Sequence, residues 1–169
     1  MRLFSGSDVV RAVGMNQKVL TQWIDRGLII PAKKAAGSGD KNGFTLLDII
    51  RVGMMKQLAD FGLSRGEAAR IAFYPEGNPA GDVLSQIINR VLHSCRQAQK
   101  ARKEGLGWGA AVAEPCLVVF FKGADGNYNE TECSTLKDLR VLFNNPYETA
   151  TIIHLTRLVQ RVIEALGAE

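Results

Sequence analysis

Residues 16–31 read NQKVLTQWIDRGLIIP and combine a helix start, an amphipathic helix and a sharp stop. Asn16 is a good N-cap for a helix over residues 17–26, because its side-chain oxygen accepts a backbone N–H that lacks an intrahelical partner. Gly27 ends that helix, and residues 28–31 read as a short edge strand that the proline stops. The stretch therefore predicts a short helix with one apolar and one polar face, followed at once by a turn.

Another helix is predicted directly before this stretch. Ser5 and Asp8 have the three-residue spacing of a capping box, in which each side chain accepts the other residue's backbone N–H. Gly14 permits the turn into the second helix, because glycine takes a positive φ without steric cost. Two short helices joined by so tight a turn indicate a helix-turn-helix unit, which usually places one helix on nucleic acid.

A polar loop follows the second helix. Residues 32–42 are too polar and too rich in glycine to form part of a core. We expect Gly43 and Phe44 to pair back on residues 28–30, which would make the loop the tip of a β-hairpin, or wing.

Two further helices are predicted beyond the loop. Thr45 with Asp48 and Ser64 with Glu67 repeat the capping-box spacing, and Gly62 ends the third helix. The sequence thus predicts four helices and a loop within residues 1–73.

This segment resembles the DNA-binding domain of the MerR family of transcription regulators. The resemblance rests on VLTQWIDRGLIIP at residues 19–31, on Phe44-Thr45 leading to Asp48, and on LADFGLS at residues 58–64. The order and spacing agree over the first segment, which is under half of the chain. The resemblance implies a winged helix-turn-helix domain, a homodimer that binds paired half-sites on double-stranded DNA, and a C-terminal region that dimerises and senses a small-molecule effector.

The segment also departs from the family pattern. Family members usually carry an arginine and a tyrosine in the recognition helix where this chain has Thr21 and Gln22, and an arginine in the wing where it has Asn42-Gly43. The set of phosphate contacts therefore differs, and an operator sequence does not transfer.

The charge distribution also points to the first segment. Residues 1–73 hold 11 Lys/Arg and 6 Asp/Glu, a net charge of +5, whereas the remainder is −1. A basic segment attracts polyanions, and its polar side chains have the reach to contact bases and phosphates.

We assign the DNA contacts to two parts of this segment. Trp23 is expected to be a packing anchor rather than a base-stacking residue. An ion pair with a nearby acid is the alternative role for Arg26, and a solvated loop is the alternative for the three lysines of the wing. The predicted DNA-binding residues are, on the recognition helix, Gln17, Lys18, Thr21, Gln22 and Arg26, and on the wing Lys33, Lys34 and Lys41.

The second half is predicted to be an α+β domain at residues 82–169, after a Pro/Gly linker at residues 74–81. Asp82 is expected to cap a long helix to about Lys103, with a broad apolar stripe and a basic end. A continuous apolar run at residues 116–122 predicts a strand, and residues 128–133 its hairpin partner. The predicted fold class is therefore α+β and mainly helical, with a small, mostly antiparallel sheet.

The last part of the chain allows two interpretations. A short helix capped by Ser134 or Thr135 is expected before Pro146. Residues 149–155 then read as a third strand, with Thr156 capping a last helix to residue 166. A single helix from Thr149 is the alternative, since its apolar residues also fit a 3,4 repeat.

No catalytic or metal-binding pattern is present in the sequence. Its three cysteines and two histidines are scattered, and no nucleotide-binding fingerprint, nucleophile motif or paired carboxylates occur. We expect no enzyme activity, no metal and no cofactor. The sequence has no transmembrane run and no apolar secretory leader, which predicts no membrane association and a cytoplasmic location in a prokaryote or its phage.

A homodimeric, sequence-specific DNA-binding transcription regulator is the leading hypothesis. A DNA-architectural factor of recombination or packaging is one alternative. A ligand-binding or protein-binding module, tethered by the first segment, is another. No pattern that we recognise specifies the operator sequence or whether the protein activates or represses transcription. The effector and the dimer interface are likewise not specified.

Overall fold

The computed structural model describes residues 2–37, 40–73, 80–106, 113, 115–122, 128–133 and 149–167. The chain divides into two compact units, one of residues 1–75 with 161–169 and one of residues 76–160. The described elements are mostly helical. They are α1 (Gly6–Val13), α2 (Gln17–Asp25), α3 (Leu46–Asp60), α4 (Arg65–Phe73), α5 (Ala80–Lys103), β1 (Leu117–Lys122), β2 (Tyr128–Cys133), β3 (Thr149–His154) and α6 (Leu155–Leu166).

The three predicted capping boxes are confirmed. At α1 the Ser5 N–H donates to Asp8 at 3.0 Å, and the Asp8 N–H donates back to the Ser5 hydroxyl at 3.3 Å. The same reciprocal bonds join Thr45 to Asp48 at the start of α3. They also join Ser64 to Glu67 before α4. Each box satisfies backbone donors that would otherwise lack partners, so local sequence sets where these helices begin.

The core of the first unit lies between α3 and its neighbours. Helix α3 packs against α1 and α4, and α1 packs against α2. The buried side chains come from all four helices and from the segments between them. The largest that are fully buried are Leu20, Ile29, Phe44, Ile49, Ile50, Met54, Met55 and Leu58.

The expected edge strand at residues 28–31 is wrong. The backbone N–H groups of Leu28 and Ile29 instead donate to the carbonyl of Trp23, at 2.8 and 3.3 Å, and so close the end of α2. Phe44 pairs with Phe4, and Gly43 pairs with Lys33, as two isolated antiparallel bridges. Because the N–H groups of Leu28 and Ile29 are bonded to the end of α2, they are not available for strand pairing. The residue that pairs with Gly43 is instead Lys33, three residues beyond the expected pairing segment at residues 28–30.

The second unit contains a three-stranded antiparallel sheet. The strand order is β2-β1-β3, with Leu117 opposite both Cys133 and His154. The predicted hairpin of β1 and β2 is therefore confirmed. Helix α5 packs against β2. Its buried face consists of Leu84, Ile87, Ile88, Val91, Leu92, Cys95, Ala98 and Ala101.

The segment from Thr149 to Leu166 is a strand followed by a helix rather than one helix. Thr156 does not cap that helix, because the helix begins at Leu155 and the N–H of Arg157 donates to Nδ1 of His154 at 3.3 Å. Thr156 is buried instead, and its hydroxyl accepts the N–H of Cys116 at 2.8 Å. Helix α5 likewise begins at Ala80, which places Asp82 inside it rather than at its cap.

Several expectations lie outside the described residues. They are most of the linker (residues 74–79), the turn between β1 and β2 (residues 123–127) and the short helix expected after Ser134.

Candidate nucleic-acid interface

Helix α2 presents a polar face to solvent. Asn16 caps the helix, since its side-chain oxygen accepts the N–H of Lys18 at 2.8 Å. The apolar side holds Leu20 and Trp23, which are 0% and 3% exposed, so Trp23 is a core residue as expected. The opposite side carries four of the predicted site residues. Gln17, Lys18 and Thr21 are exposed and Gln22 is half-buried.

The end of α2 is closed by its own backbone. Gly27 adopts φ 69°, the left-handed conformation that glycine takes without steric cost, and its N–H donates to the carbonyl of Ile24 at 2.9 Å. Arg26 precedes it and is exposed. Among the described residues, no ion pair of Arg26 is formed.

The loop at residues 32–42 is held closed by its own hydrogen bonds. At its base Lys33 and Gly43 exchange both backbone bonds, at 3.0 and 2.8 Å. Higher in the loop the N–H of Ala35 donates to the side-chain oxygen of Asn42 at 2.9 Å. Asp40 accepts the N–H of Ala36 at 3.1 Å and the ammonium of Lys33 at 2.8 Å. The described parts of the loop are therefore joined by hydrogen bonds although they lack an apolar core.

Asp40 accepts hydrogen bonds from the side chain of Lys33 and from the backbone of Ala36 and Lys41. Its hydrogen bonds to the Lys33 ammonium and to backbone N–H groups lower the pKa of its carboxyl to about 2. The carboxylate is therefore charged throughout the physiological range, and it offsets one of the three loop lysines. Lys34 and Lys41 remain exposed, which leaves the loop with a net positive charge.

A groove of about 360 Å³ separates this loop from the helices. The structure brings three of the predicted site residues together there, namely Gln17, Thr21 and Lys41. Lys18, Gln22, Arg26, Lys33 and Lys34 are not among its lining residues. The predicted residues are thus divided between the groove and surfaces outside it.

Sequence reasoning missed four contributors to this site. Asp40 and Asn42 bind the loop backbone and also line the groove, and Ser5 and Ser7 line it from the start of α1. Asp and Asn side chains often bind backbone N–H groups in turns, so their place in a Gly-rich loop was the available signal. The serines carried no such signal, because only the packing of α1 beside α2 brings them to the groove.

No cluster of three or more His, Cys, Asp or Glu side chains able to hold a metal ion occurs among the described residues. In the same part of the chain, no helix combines the length and apolar character that crossing a membrane requires.

Comparison with known families agrees with this geometry. Residues 4–72 match the family model described as MerR HTH family regulatory protein. The match covers α1 to α3, the loop between α2 and α3, and α4 except its last residue. No curated protein sequence matches the chain.

Proposed function

We propose, on the premise that residues 4–72 are a MerR-type helix-turn-helix domain, that this protein is a sequence-specific, DNA-binding transcription regulator. A domain of this type binds DNA and is not a catalytic one. In the proposal α2 enters the major groove, the loop at residues 32–42 contacts the phosphate backbone, and the protein acts as a homodimer. The observation that carries the proposal is the exposed polar face of α2 beside a loop closed by its own hydrogen bonds.

The side chains on α2 supply the chemistry that base recognition requires. Gln17 and Gln22 each offer an amide that donates and accepts, which suits the N6 and N7 atoms of adenine. Lys18 donates to guanine or to a phosphate, and Thr21 donates, accepts and offers a methyl group to thymine. Gln17, Lys18 and Thr21 are exposed whereas Trp23 is buried, so contact with DNA through these three residues would not disturb the core.

The loop supplies contacts that position the helix. Lys34, Lys41 and, at the end of α2, Arg26 are exposed cations that suit phosphate contacts. Lys33 binds Asp40, and an ammonium has three donors, so the same group retains donors for a phosphate. Hydrogen bonds already join residues 33–36 of the loop to residues 40–43, so these parts lose less conformational entropy when they bind.

The homodimer, the cytoplasmic location and a small-molecule effector sensed by the second unit are parts of the same proposal. Proteins of this kind are usually dimers because a twofold operator mirrors a twofold protein.

The test is selection of random duplex DNA by the full chain, followed by sequencing of the bound fraction. Affinity for the selected duplex is then measured across a range of salt concentrations. An inverted repeat, bound with a steep salt dependence, is the expected result, since contacts to phosphates release counterions. Salt-sensitive binding without a consensus would favour an architectural factor over a regulator. Absence of duplex binding would overturn the proposal.

A matched pair of variants tests whether α2 is the DNA-binding surface. Lys18→Gln removes one exposed cation from α2. Lys56→Gln removes one cation from α3, whose ammonium is paired with Asp60 at 2.6 Å. The proposal requires Lys18→Gln to weaken binding and Lys56→Gln to leave it near the wild-type value.

A further inference from the structure

From Gln86 to Lys103, the exposed residues of helix α5 in the second unit include no acidic residue. From Val83 to Lys103 the sequence contains five Lys/Arg and no Asp/Glu, although the chain has 17 acidic residues. The other face of α5 is buried. The exposed residues on one side, spaced four, three, one and three apart, are Asn89, His93, Arg96, Gln97 and Lys100.

We infer that this stripe, residues 89–100 of α5, is a second surface for duplex DNA, which contacts the phosphate backbone without reading sequence. The inference rests on the proposed DNA-binding function and adds a surface outside the part of the chain that matches the helix-turn-helix family. The positions i, i+4, i+7, i+8 and i+11 lie on one side of an α-helix. Asn, Gln, Arg and Lys side chains commonly contact phosphates, and the imidazole of His93 also carries an N–H donor.

A simple solvated helix face does not account for this composition. Solvated faces usually alternate acids and bases, because oppositely charged pairs at i,i+4 stabilise the helix. At the end of the stripe, Lys100 forms an ion pair with Glu104 that is long at 3.8 Å, and both side chains are largely exposed.

The helix dipole accounts for only part of the charge. Cations are favoured in the last turn, where Lys100 and Lys103 lie, and the effect falls off within that turn. Arg96 lies about two turns before the end of the helix, beyond the reach of that effect.

The dimensions of the stripe suit a polyanion. From Asn89 to Lys100 it extends about 16 Å, at 1.5 Å per residue. A duplex carries one charge per about 1.7 Å of axis, so such a length of DNA presents on the order of ten phosphate charges.

The stripe suits DNA better than a protein or a membrane. The described side chains of α5 that are exposed, from Gln86 to Lys103, are all polar or charged. Protein interfaces are usually anchored by aromatic or aliphatic side chains, and membrane-surface helices present an apolar face to the lipid. The apolar face of α5 is already buried.

The experiment uses the full chain and a random-sequence duplex, with affinity measured at several salt concentrations. Arg96→Gln/Lys100→Gln removes two charges from the stripe. Arg157→Gln/Arg161→Gln removes two exposed charges from α6, where Glu164 is also exposed, and serves as the matched control. Lys18→Gln reports on α2 in the same assay.

The stripe variant should reduce the slope of log affinity against log salt by about 1.8, since each neutralised phosphate contributes about 0.9. At about 0.1 M salt this corresponds to a loss of affinity of tens of fold. The control should keep the wild-type slope. A stripe variant that behaves like the control would overturn the inference, and so would a larger effect on single-stranded than on duplex DNA.

The two proposals fail in different ways. If Lys18→Gln weakens binding and the stripe variant does not, the regulator proposal stands and the inference is overturned. If only the stripe variant weakens binding, α2 is not the DNA surface, whereas the stripe assignment holds. If the wild-type chain binds no duplex, both are overturned.

Discussion

The ammonium of Lys33 lies 2.8 Å from a carboxylate oxygen of Asp40, and this ion pair joins the two sides of the loop at residues 32–42. The same carboxylate accepts the N–H of Ala36 from the first side. Asp40 thereby links the two described sides of a loop that has four Lys or Asp residues and no apolar core. The bonds are local to the loop, and Asp40 also accepts the N–H of Lys41, which lines the groove together with residues of α2.

The titration of Asp40 tests this arrangement. Its pKa is lowered to about 2, first by the hydrogen bond from Lys33. Because the folded-state pKa is below the ordinary value of 3.8, the loop bonds are fully present above that value and are lost as pH falls toward 2. Carbon-13 NMR of the carboxyl should report this midpoint. Lys33→Gln should move it back toward 3.8, whereas Lys34→Gln should leave it unchanged. An Asp40 midpoint indifferent to Lys33 would show that the pair is absent in solution.

Lys18 and Gln22 should affect DNA binding in different ways. Lys18→Gln should lower affinity almost equally on all duplexes and reduce the salt slope by about 0.9, because one phosphate contact is lost. Gln22→Ala should lower affinity by about 1–3 kcal/mol on the selected site alone, because a base contact is lost. Binding titrations on the selected and on a scrambled duplex separate the two effects. Equal losses on both duplexes for Gln22→Ala would remove it from base recognition.

Trp23 should matter for folding rather than for DNA. It is 3% exposed, and its indole N–H has no hydrogen-bond partner among the residues that the structure describes. Trp23→Ala should lower the free energy of unfolding by about 3–5 kcal/mol, because a large buried side chain is removed. Trp23→Phe should cost much less, since it keeps an aromatic ring and loses no indole hydrogen bond. Urea unfolding measures both. A stable Trp23→Ala protein that no longer binds DNA would instead make Trp23 a base-stacking residue.

The turn between α1 and α2 depends on Gly14. Its φ is 69°, and a Cβ at this position would meet no other atom within 4 Å, so the constraint is the backbone conformation and not space. Gly14→Ala should therefore destabilise the protein by about 1–2 kcal/mol, and Gly14→Asn by less.

Gly66 is the matched control for this prediction. It lies inside α4 and is likewise without neighbours at its Cβ position, but it has no positive φ. Gly66→Ala should stabilise the protein by up to about 1 kcal/mol, because alanine loses less entropy in a helix. The thermal unfolding temperatures of the two alanine variants should therefore shift in opposite directions from the wild-type value. If both variants shifted the unfolding temperature in the same direction, the positive φ of Gly14 would not be the cause of the destabilisation.

The hydroxyl of Thr156 should contribute to the second unit through its bond to the N–H of Cys116 at 2.8 Å. Thr156→Val keeps the shape but removes this acceptor from a buried donor, which should cost about 1–3 kcal/mol. Thr156→Ser keeps the hydroxyl and should cost less than the valine variant. Chemical unfolding compares them. A valine variant as stable as wild type would show that the Cys116 N–H finds another acceptor.

The helix boundaries could be predicted from sequence because capping is local. Ser5 with Asp8 and Thr45 with Asp48 lie three residues apart, and each pair bonds within its own first turn. The polar face of α2 and the burial of Trp23 followed from helical periodicity in the same way. Most of the candidate DNA surface was therefore accessible from short-range patterns.

Bonds between distant residues could not be predicted in this way. The sequence does not show that Phe44 pairs with Phe4, because the choice among strand partners depends on how α1 and α3 pack. Thr156 has the composition of a helix cap, but its hydroxyl binds the N–H of Cys116, 40 residues away. A buried backbone N–H needs a hydrogen-bond acceptor, which can come from a distant part of the chain. Here that need outweighs the preference of threonine for a helix cap.

The sequence by itself determined the four N-terminal helices, the basic loop and the family resemblance, because each depends on residues only a few positions apart. Tertiary structure alone decided that β3 is a strand beside β1 and that the loop stands across a groove from Gln17 and Thr21. The residues at 149–155 have both β-branched character and a helical repeat. As a strand, this segment forms backbone hydrogen bonds with β1. Because β1 is distant in the sequence, a pattern of neighbouring residues does not reveal this pairing.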